Sequence, residues 1–427
     1  MEFEKLKLTR QFLNAIEELN YSVPTDIQSQ AIPTILAGRD LIGIAQTGTG
    51  KTAAYLLPLM QVLKYAQGDE PRALILVPTK ELAIQVHEAA TQFSKFTDLR
   101  TLLLIGGMGP REQIKQLESG CDLIVSTPGR FLELYAKGSL VVKKIKHLVL
   151  DECDRLMDMG FWPQLRRMQE TMPQKKQLLL FSATFPQAVK NIADNFMLFP
   201  EIVEVTPQAT PAVTVDHCLY EVPNFRTKLE LLVHILHHPD ATRVMVFVKT
   251  RERASQVNAY LQRLELGRIL LLNANKSQSA RTAALDSFRA GDAKILVTTD
   301  ISARGIDVDD VSHVINLSVP SHHEDYVHRI GRTGRAGKSG VAITMADVSE
   351  LDQLNRIEEL IRMKVRRESI PTDVFIHPTS REERQEQLRE LDRQRRRMDP
   401  TFKGAFHEKK FKKERNSKIL SKQKSRK

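Results

Sequence analysis

Cysteine is scarce in this chain. There are three in 427 residues, Cys121, Cys153 and Cys218, far apart and with no Cys-x-x-Cys pair. A disulfide framework or thiolate zinc site is therefore not expected, and a reducing, cytoplasmic setting fits best. Long apolar runs are missing too. None approaches the roughly 20 residues that cross a bilayer, so no membrane association is expected. Met1–Thr9 mixes Glu and Lys without an apolar stretch, which argues against a secretory leader. Most of the chain also lacks net charge of one sign. From Arg393 to Lys427, 15 Lys and Arg face three acids, a balance of +12. The whole chain carries +11, so the remainder sums to about −1. The basic character belongs to a tail. Such a block reads as a disordered arm for nucleic acid. The plainer alternative is a solvated, solubilising tail, since attraction to polyanions is generic.

What the chain does have is apolar content of 41 % and a length that, at roughly 100–200 residues per domain, implies two or three domains. Short apolar runs recur at 41–45, 73–77, 101–105, 122–126, 147–150 and 177–181, then at 243–248, 268–272, 294–297, 313–317 and 341–345. Their length and β-branched content predict strands buried on both faces. Alternation with helical patterns predicts two α/β domains with parallel sheets. The boundary is expected near 206–213, where TPQATPAV suits an extended linker. The expected organisation is 1–205, a linker at 206–213, 214–375, and a basic extension at 376–427. In that extension Ser380 to Glu383 resembles a capping box opening a charged helix to about Met398, and the Lys-rich end is expected to be disordered.

Three stretches carry chemistry. Ala45-Gln46-Thr47-Gly48-Thr49-Gly50-Lys51-Thr52 follows a predicted strand and precedes a predicted helix. In a P-loop, backbone N–H groups at a helix N-terminus nest phosphate oxygens. Lys51 would reach the β- and γ-phosphates and Thr52 would hold Mg²⁺. Ala45 stands where the strict pattern has Gly, and an ordinary Gly-rich turn is the bland alternative. Asp151-Glu152-Cys153-Asp154 follows the run 147–150 directly. Asp151 is placed to hold Mg²⁺ and Glu152 to orient and deprotonate the attacking water; a helix-capping cluster is the alternative. In the second half, His328-Arg329-Ile330-Gly331-Arg332-Thr333-Gly334-Arg335 sets two arginines three apart on a Gly-containing turn. Arg332 and Arg335 are candidates for stabilising transition-state charge, with a basic surface loop as the alternative.

Together these motifs resemble the DEAD-box family of superfamily 2 RNA helicases, over roughly residues 3–345. Phe3 upstream of Tyr21–Gln28 resembles the Q motif, and the resemblance implies that an aromatic stacks on adenine while Gln28 reads its edge. Pro78, Thr79 and Lys80 resemble motif Ia, with Lys80 where Arg is usual. Gly106, Gly107 and Thr127, Pro128, Gly129, Arg130 resemble the GG and Ib elements. By resemblance all of these line the RNA backbone. Ser182-Ala183-Thr184 resembles motif III, which links the ATP site to closure. Val246–Val248 resembles motif IV, and Gln278, Arg281 and Phe288 keep the family's spacing. Thr299-Asp300 and Ala303–Asp307 resemble motif V, which implies that Thr299 and Arg304 lie near RNA and Asp307 near the ribose of ATP. The segment His328–Arg335 matches motif VI.

The family's Asp-Glu-Ala-Asp is here Asp-Glu-Cys-Asp, which keeps all three carboxylates. Asn20 replaces a glycine, tolerable in a turn, and Asn273-Ala274-Asn275 stands where His-Gly is common. The resemblance implies two tandem RecA-like domains and ATP with Mg²⁺ as the nucleotide and its ion. It also implies an RNA-dependent ATPase that unwinds short duplexes locally. It is closest to short bacterial helicases acting on ribosomal precursors or messenger RNA. An ATP-gated RNA clamp and a DNA translocase are the rival readings.

Overall fold

The computed structural model describes residues 2–45, 48–205, 215–272, 278–303, 308, 311–334, 340–399 and 401–402. Thr47, the linker at 206–213, Asn273–Asn275, Arg304, Asp307, Arg335 and the Lys-rich end lie outside the described residues.

Two parallel α/β sheets follow one another in the chain. The first is built from β1 (Leu41–Ile44), β2 (Ala73–Leu76), β3 (Thr101–Leu104), β4 (Leu123–Ser126), β5 (His147–Leu150), β6 (Gln177–Ser182) and β7 (Glu201–Glu204). Its order is β3-β4-β2-β5-β6-β1-β7. The second contains β8 (Val215–Glu221), β9 (Val244–Phe247), β10 (Ile269–Leu272), β11 (Ile295–Thr298), β12 (His313–Asn316), β13 (Gly340–Ala346) and β14 (Arg366–Glu368). Its order is β10-β11-β9-β12-β13-β8-β14. All pairings are parallel.

Each expected apolar run is a strand. The alternation of side chains divides each strand between two cores. Ile75, Val125, Val149 and Leu179 pack on one face of the first sheet. Leu74, Ile124, Leu148 and Leu180 pack on the other. In the second sheet Val244, Val246 and Val297 face one core, and Met245, Leu296 and Val314 the other. Burying each such side chain stabilises by about 1.5–3 kcal/mol, and a one-residue slip would exchange the two sets.

Three strands were not expected. β7 and β14 are short edge strands whose charges, Glu201, Glu204 and Arg366–Glu368, suit an unpaired rim. β8 mixes polar with apolar residues without a regular period, and its register against β13 identifies it.

The C-terminal helix Arg381–Met398 starts as the capping pattern predicts, with Ser380 Oγ accepting from Glu383 N at 3.2 Å. It is no detached extension. Glu383 Oε1 accepts the N–H of Phe225, 2.7 Å, the first residue of the helix Phe225–Leu236. Gln387 Nε2 donates to Pro223 O at 2.9 Å and Gln394 Nε2 to Ser349 O at 2.7 Å. The helix is held by hydrogen bonds to backbone groups that would otherwise be orphaned.

Candidate nucleotide and RNA site

Ala45 follows β1, and its N–H donates to Ser182 O at the end of β6, 3.0 Å away. The chain then turns through Gly48 and Gly50, both at left-handed φ (87° and 88°), into the helix Lys51–Leu63. Lys51 is buried and its Nζ donates to Ala45 O at 2.7 Å. The ammonium is thus parked inside the loop that its helix closes. A side chain at Gly50 would collide with the Gln28 amide, so glycine is required there by both dihedral and space.

Asp151 leaves the end of β5 fully inside the protein. Burial pushes its carboxyl up to about 6, opposed by Lys51 and by hydrogen bonds. Its Oδ1 accepts from Glu152 N and its Oδ2 from Tyr55 Oη, both at 2.8 Å. Tyr55 stands one turn after Lys51 and also bonds Thr52. Sequence reasoning missed it. The only signal was the i, i+4 spacing, which sets both side chains on one helix face. Glu152 adopts φ 48°, ψ 53°, a conformation that costs a non-glycine residue about 1–3 kcal/mol and concentrates at functional sites. Cys153 is wholly buried, its thiol pushed well above the ordinary value by burial, so it is inert. Asp154 accepts from Thr184 N (2.9 Å) and Thr184 Oγ1 (2.8 Å), while Asp154 N donates to Ser182 Oγ (3.1 Å). The carboxylate box and Ser182-Ala183-Thr184 form one hydrogen-bonded unit.

Gln28 belongs to a capping box with Thr25. Its Oε1 accepts from Thr25 N at 2.9 Å and its Nε2 donates to Gly50 O at 3.1 Å. The glutamine therefore ties the Q-like segment to the phosphate loop. Phe3 is 5 % exposed, packs with Leu6 and Ile16, and lines one cleft together with Asn20 and Tyr21. Tyr21, 43 % exposed, has a ring face to offer. Asn20 has φ 59°, the left-handed turn expected of it.

Thr79, Lys80, Gly106, Gly107 and Thr127–Arg130 follow β2, β3 and β4, three neighbours in the sheet, and so share one rim. Pro78 leads into Thr79, which caps the helix Lys80–Phe93 by accepting from Leu82 N at 3.3 Å. Lys80 Nζ lies over the glycine pair: a Cβ on Gly107 would be 2.8 Å from it. Arg130 Nη2 donates to Met108 O at 2.9 Å. Pro128 and Gly129 open the helix Pro128–Ala136. The phosphate loop and Asp151 occupy the other half of the same rim.

In the second sheet Thr299 is buried after β11, its hydroxyl bonded to Ser302 Oγ at 3.2 Å. Arg329 is the hub of its motif. It makes a bidentate pair with Asp300 (2.5 and 2.8 Å), donates to Asn316 Oδ1 (3.0 Å) and Ser318 O (2.8 Å), and lies over the Phe247 ring. Sequence reasoning looked past it to Arg332. His328 and Arg332 line a tight crevice with Asp325, and Arg155 enters that crevice from the first sheet's side. Arg155 also approaches Glu152 Oε2 at 3.4 Å. A second link crosses between the sheets, Arg281 Nε to Glu81 Oε1 at 2.8 Å, buried on both sides.

A glycine-rich loop after β1, buried acids after β5 and a second parallel sheet contributing arginines define a two-lobed nucleotide-hydrolysing enzyme. The DEAD/DEAH box helicase profile matches residues 25–192 and the helicase conserved C-terminal domain residues 227–337. The chain is 40 % identical to the ATP-dependent RNA helicase RhlB of Pseudomonas putida over 388 residues, 89 % of this chain and 97 % of that one. It superposes on Saccharomyces cerevisiae Dbp5 bound to RNA and ADP BeF3 with a TM-score of 0.78 at 30 % identity, covering 86 % of this chain and 96 % of that one. On Mss116p bound to single-stranded RNA and AMP-PNP the TM-score is 0.79 at 27 % identity, covering 91 % and 81 %. The chain belongs to the DEAD-box family and is an ATP-dependent RNA helicase. No helix among the described residues is long and apolar enough to cross a membrane.

Proposed function

We propose that RNA binding across both sheets drives ATP hydrolysis by completing the site from the second sheet. The first unit, residues 1–205, holds ATP through Thr47, Gly48, Thr49, Gly50, Lys51 and Thr52, with Gln28 on the base edge and the aromatic cleft of Phe3 and Tyr21 beside the base. Residues 206–213 join it to the unit 214–375, which carries Asp307 for the ribose. The helix after residue 376 works as part of that second unit.

Thr52 and Asp151 suit Mg²⁺: both offer hard oxygen donors, and a carboxylate buried at the cost seen for Asp151 gains from a cation. The ion would neutralise phosphate charge and favour loss of the γ-phosphoryl group. Glu152 takes a proton from the attacking water, and Arg332 and Arg335 meet the charge that develops on the transferred phosphoryl group. His328, Ser182 and Thr184 relay the arrangement between RNA and nucleotide. Pro78, Thr79, Lys80, Gly106, Gly107, Thr127, Pro128, Gly129, Arg130, Thr299 and Arg304 hold the RNA backbone, so base preference is low. The closed groove takes a bent single strand, and closing it separates a few base pairs of a short duplex.

The observation that carries this reading is the crevice in which Arg155 meets His328 and Arg332. It connects the carboxylate box of one sheet with the arginines of the other. The setting that fits is a reducing cytoplasm, in assemblies on ribosomal precursors or decaying messenger RNA. Steady-state ATPase with and without single-stranded RNA tests the reading. Strong stimulation, abolished by Glu152→Gln, is expected; ATP binding without stimulation by any RNA would overturn it. An RNA clamp or assembly platform in place of a cycling helicase would hold RNA as fully with a nonhydrolysable analogue as with ATP, and would separate few strands with either.

A further inference from the structure

A cavity of about 670 Å³ opens on the second unit, between the carboxyl ends of β9, β12 and β13 and the C-terminal helix. β10 and β11 lie on one side of β9, and β12 and β13 on the other. The crevice at such a reversal is where open α/β sheets take ligands. Of the motifs above, only the end of Val246–Val248 reaches it, through Val248.

The wall of this cavity has a specific chemistry. Arg253, on the helix Arg251–Leu261, stacks on Phe225, its guanidinium carbon 4.0 Å from the ring centroid. Both residues are half-buried and both line the cavity. They form a flat, cationic platform, the surface on which an unstacked nucleobase rests. Much of the surrounding acid is already committed. Glu383 accepts the Phe225 N–H, Glu350 holds Lys228 at 2.7 Å, and Glu390 pairs with Arg393 at 3.0 Å. Glu252 and Glu386 are left as acceptors for the amino edge of a base, while Lys249 and Arg389 bring positive charge for the adjoining phosphates.

The position favours RNA over other ligands. Lys249 and Thr250 lie just past the end of β9, and β11, the neighbouring strand, leads directly into Thr299 on the RNA path. We propose that the cavity receives a base of the bound strand where the strand leaves the groove between the two sheets, stacked on Arg253 and bracketed by the C-terminal helix. This inference rests on the RNA reading above and adds a second, outlying contact to it.

The test compares two single strands, a short one that fills only the groove between the sheets and a longer one that extends past it. Binding is read by fluorescence anisotropy in the presence of a nonhydrolysable ATP analogue. Arg253→Ala should weaken the longer strand about 10-fold, the loss expected for one stacked base. It should leave the short strand's affinity and its stimulation of ATPase unchanged. Arg253→Lys keeps the charge and removes the plane, so it should behave like the alanine variant; full rescue by lysine would overturn the stacking role. Phe225→Leu, which removes the support under the guanidinium, should fall between wild type and Arg253→Ala. Unchanged affinity for the longer strand in Arg253→Ala would also overturn the proposal and leave the cavity to a protein partner. Failure of the underlying RNA reading is distinguishable, because wild-type protein would then bind neither strand.

Discussion

Asp151 shows what the site costs at the level of one residue. Its carboxyl has a folded-state value of about 6 against an ordinary 3.8. The folded protein thus holds this proton more tightly than the unfolded chain. The favourable contribution of the protonated form is complete below the ordinary carboxylate range and is lost as pH rises through about 6. Asp151→Asn keeps the shape and removes the charge. In protein free of nucleotide and divalent cation, the variant should have a higher Tm than wild type at neutral pH. The gain should shrink as pH falls and vanish below the ordinary carboxylate range, while ATPase is lost at every pH. Thermal unfolding over a pH series checks this, and equal Tm values at neutral pH would remove the burial cost from the account. Glu152 carries a cost of another kind, a left-handed backbone held in place by the turn between β5 and the helix Cys153–Asp158.

Among elements, the contacts between the sheets decide whether the site is complete. Glu81 stands at the start of the helix Lys80–Phe93 and Arg281 on the helix Gln278–Arg289. Truncating one member of a buried ion pair costs about 3–5 kcal/mol when the other charge stays buried. Here Glu81, once Arg281 is truncated, recovers its water as soon as the sheets part. Arg281→Ala should therefore leave the Tm of each unit nearly unchanged and lower RNA-stimulated ATPase by about 10-fold or more. A stimulated rate equal to wild type would show that closure does not depend on the pair. The C-terminal helix is a different kind of element. It has few apolar residues, so periodicity alone gave no reason to expect it to dock. What docks it is the supply of unpaired N–H and C=O groups at Pro223, Phe225 and Ser349, visible only once those ends are placed in space.

At the scale of the whole molecule, the charge is uneven: the body is near neutral and the basic residues gather after Arg393, which predicts that this end strengthens RNA binding. Because residues up to Met398 belong to a docked helix, a truncation that tests the basic end should spare them and stop at Phe402. A chain ending there should keep its thermal stability and ATP affinity, bind RNA more weakly, and show a flatter dependence of affinity on salt, since fewer counterions are released. A titration over a salt series gives the slope directly; an unchanged slope would take the tail out of RNA binding.

The linear order of residues determined a good deal here. Short continuous apolar runs alternating with helical patterns were enough for two parallel α/β sheets, because strands buried on both faces cannot be polar. Gly48, Gly50, Lys51 and Thr52 were legible because a phosphate nest needs a left-handed turn and a lysine at a helix start, all local requirements. The setting of Phe3 was not legible for the opposite reason: how far an aromatic ring fills a core or faces a cleft depends on what packs against it, which no local pattern encodes. The same holds for Tyr55 against Asp151, for Arg329 as the hub between Asp300 and Asn316, for Arg155 in the crevice of the second sheet, and for the stack of Arg253 on Phe225. Each is a meeting of side chains distant in the chain, fixed by strand order and helix packing, and only the tertiary structure decides such meetings.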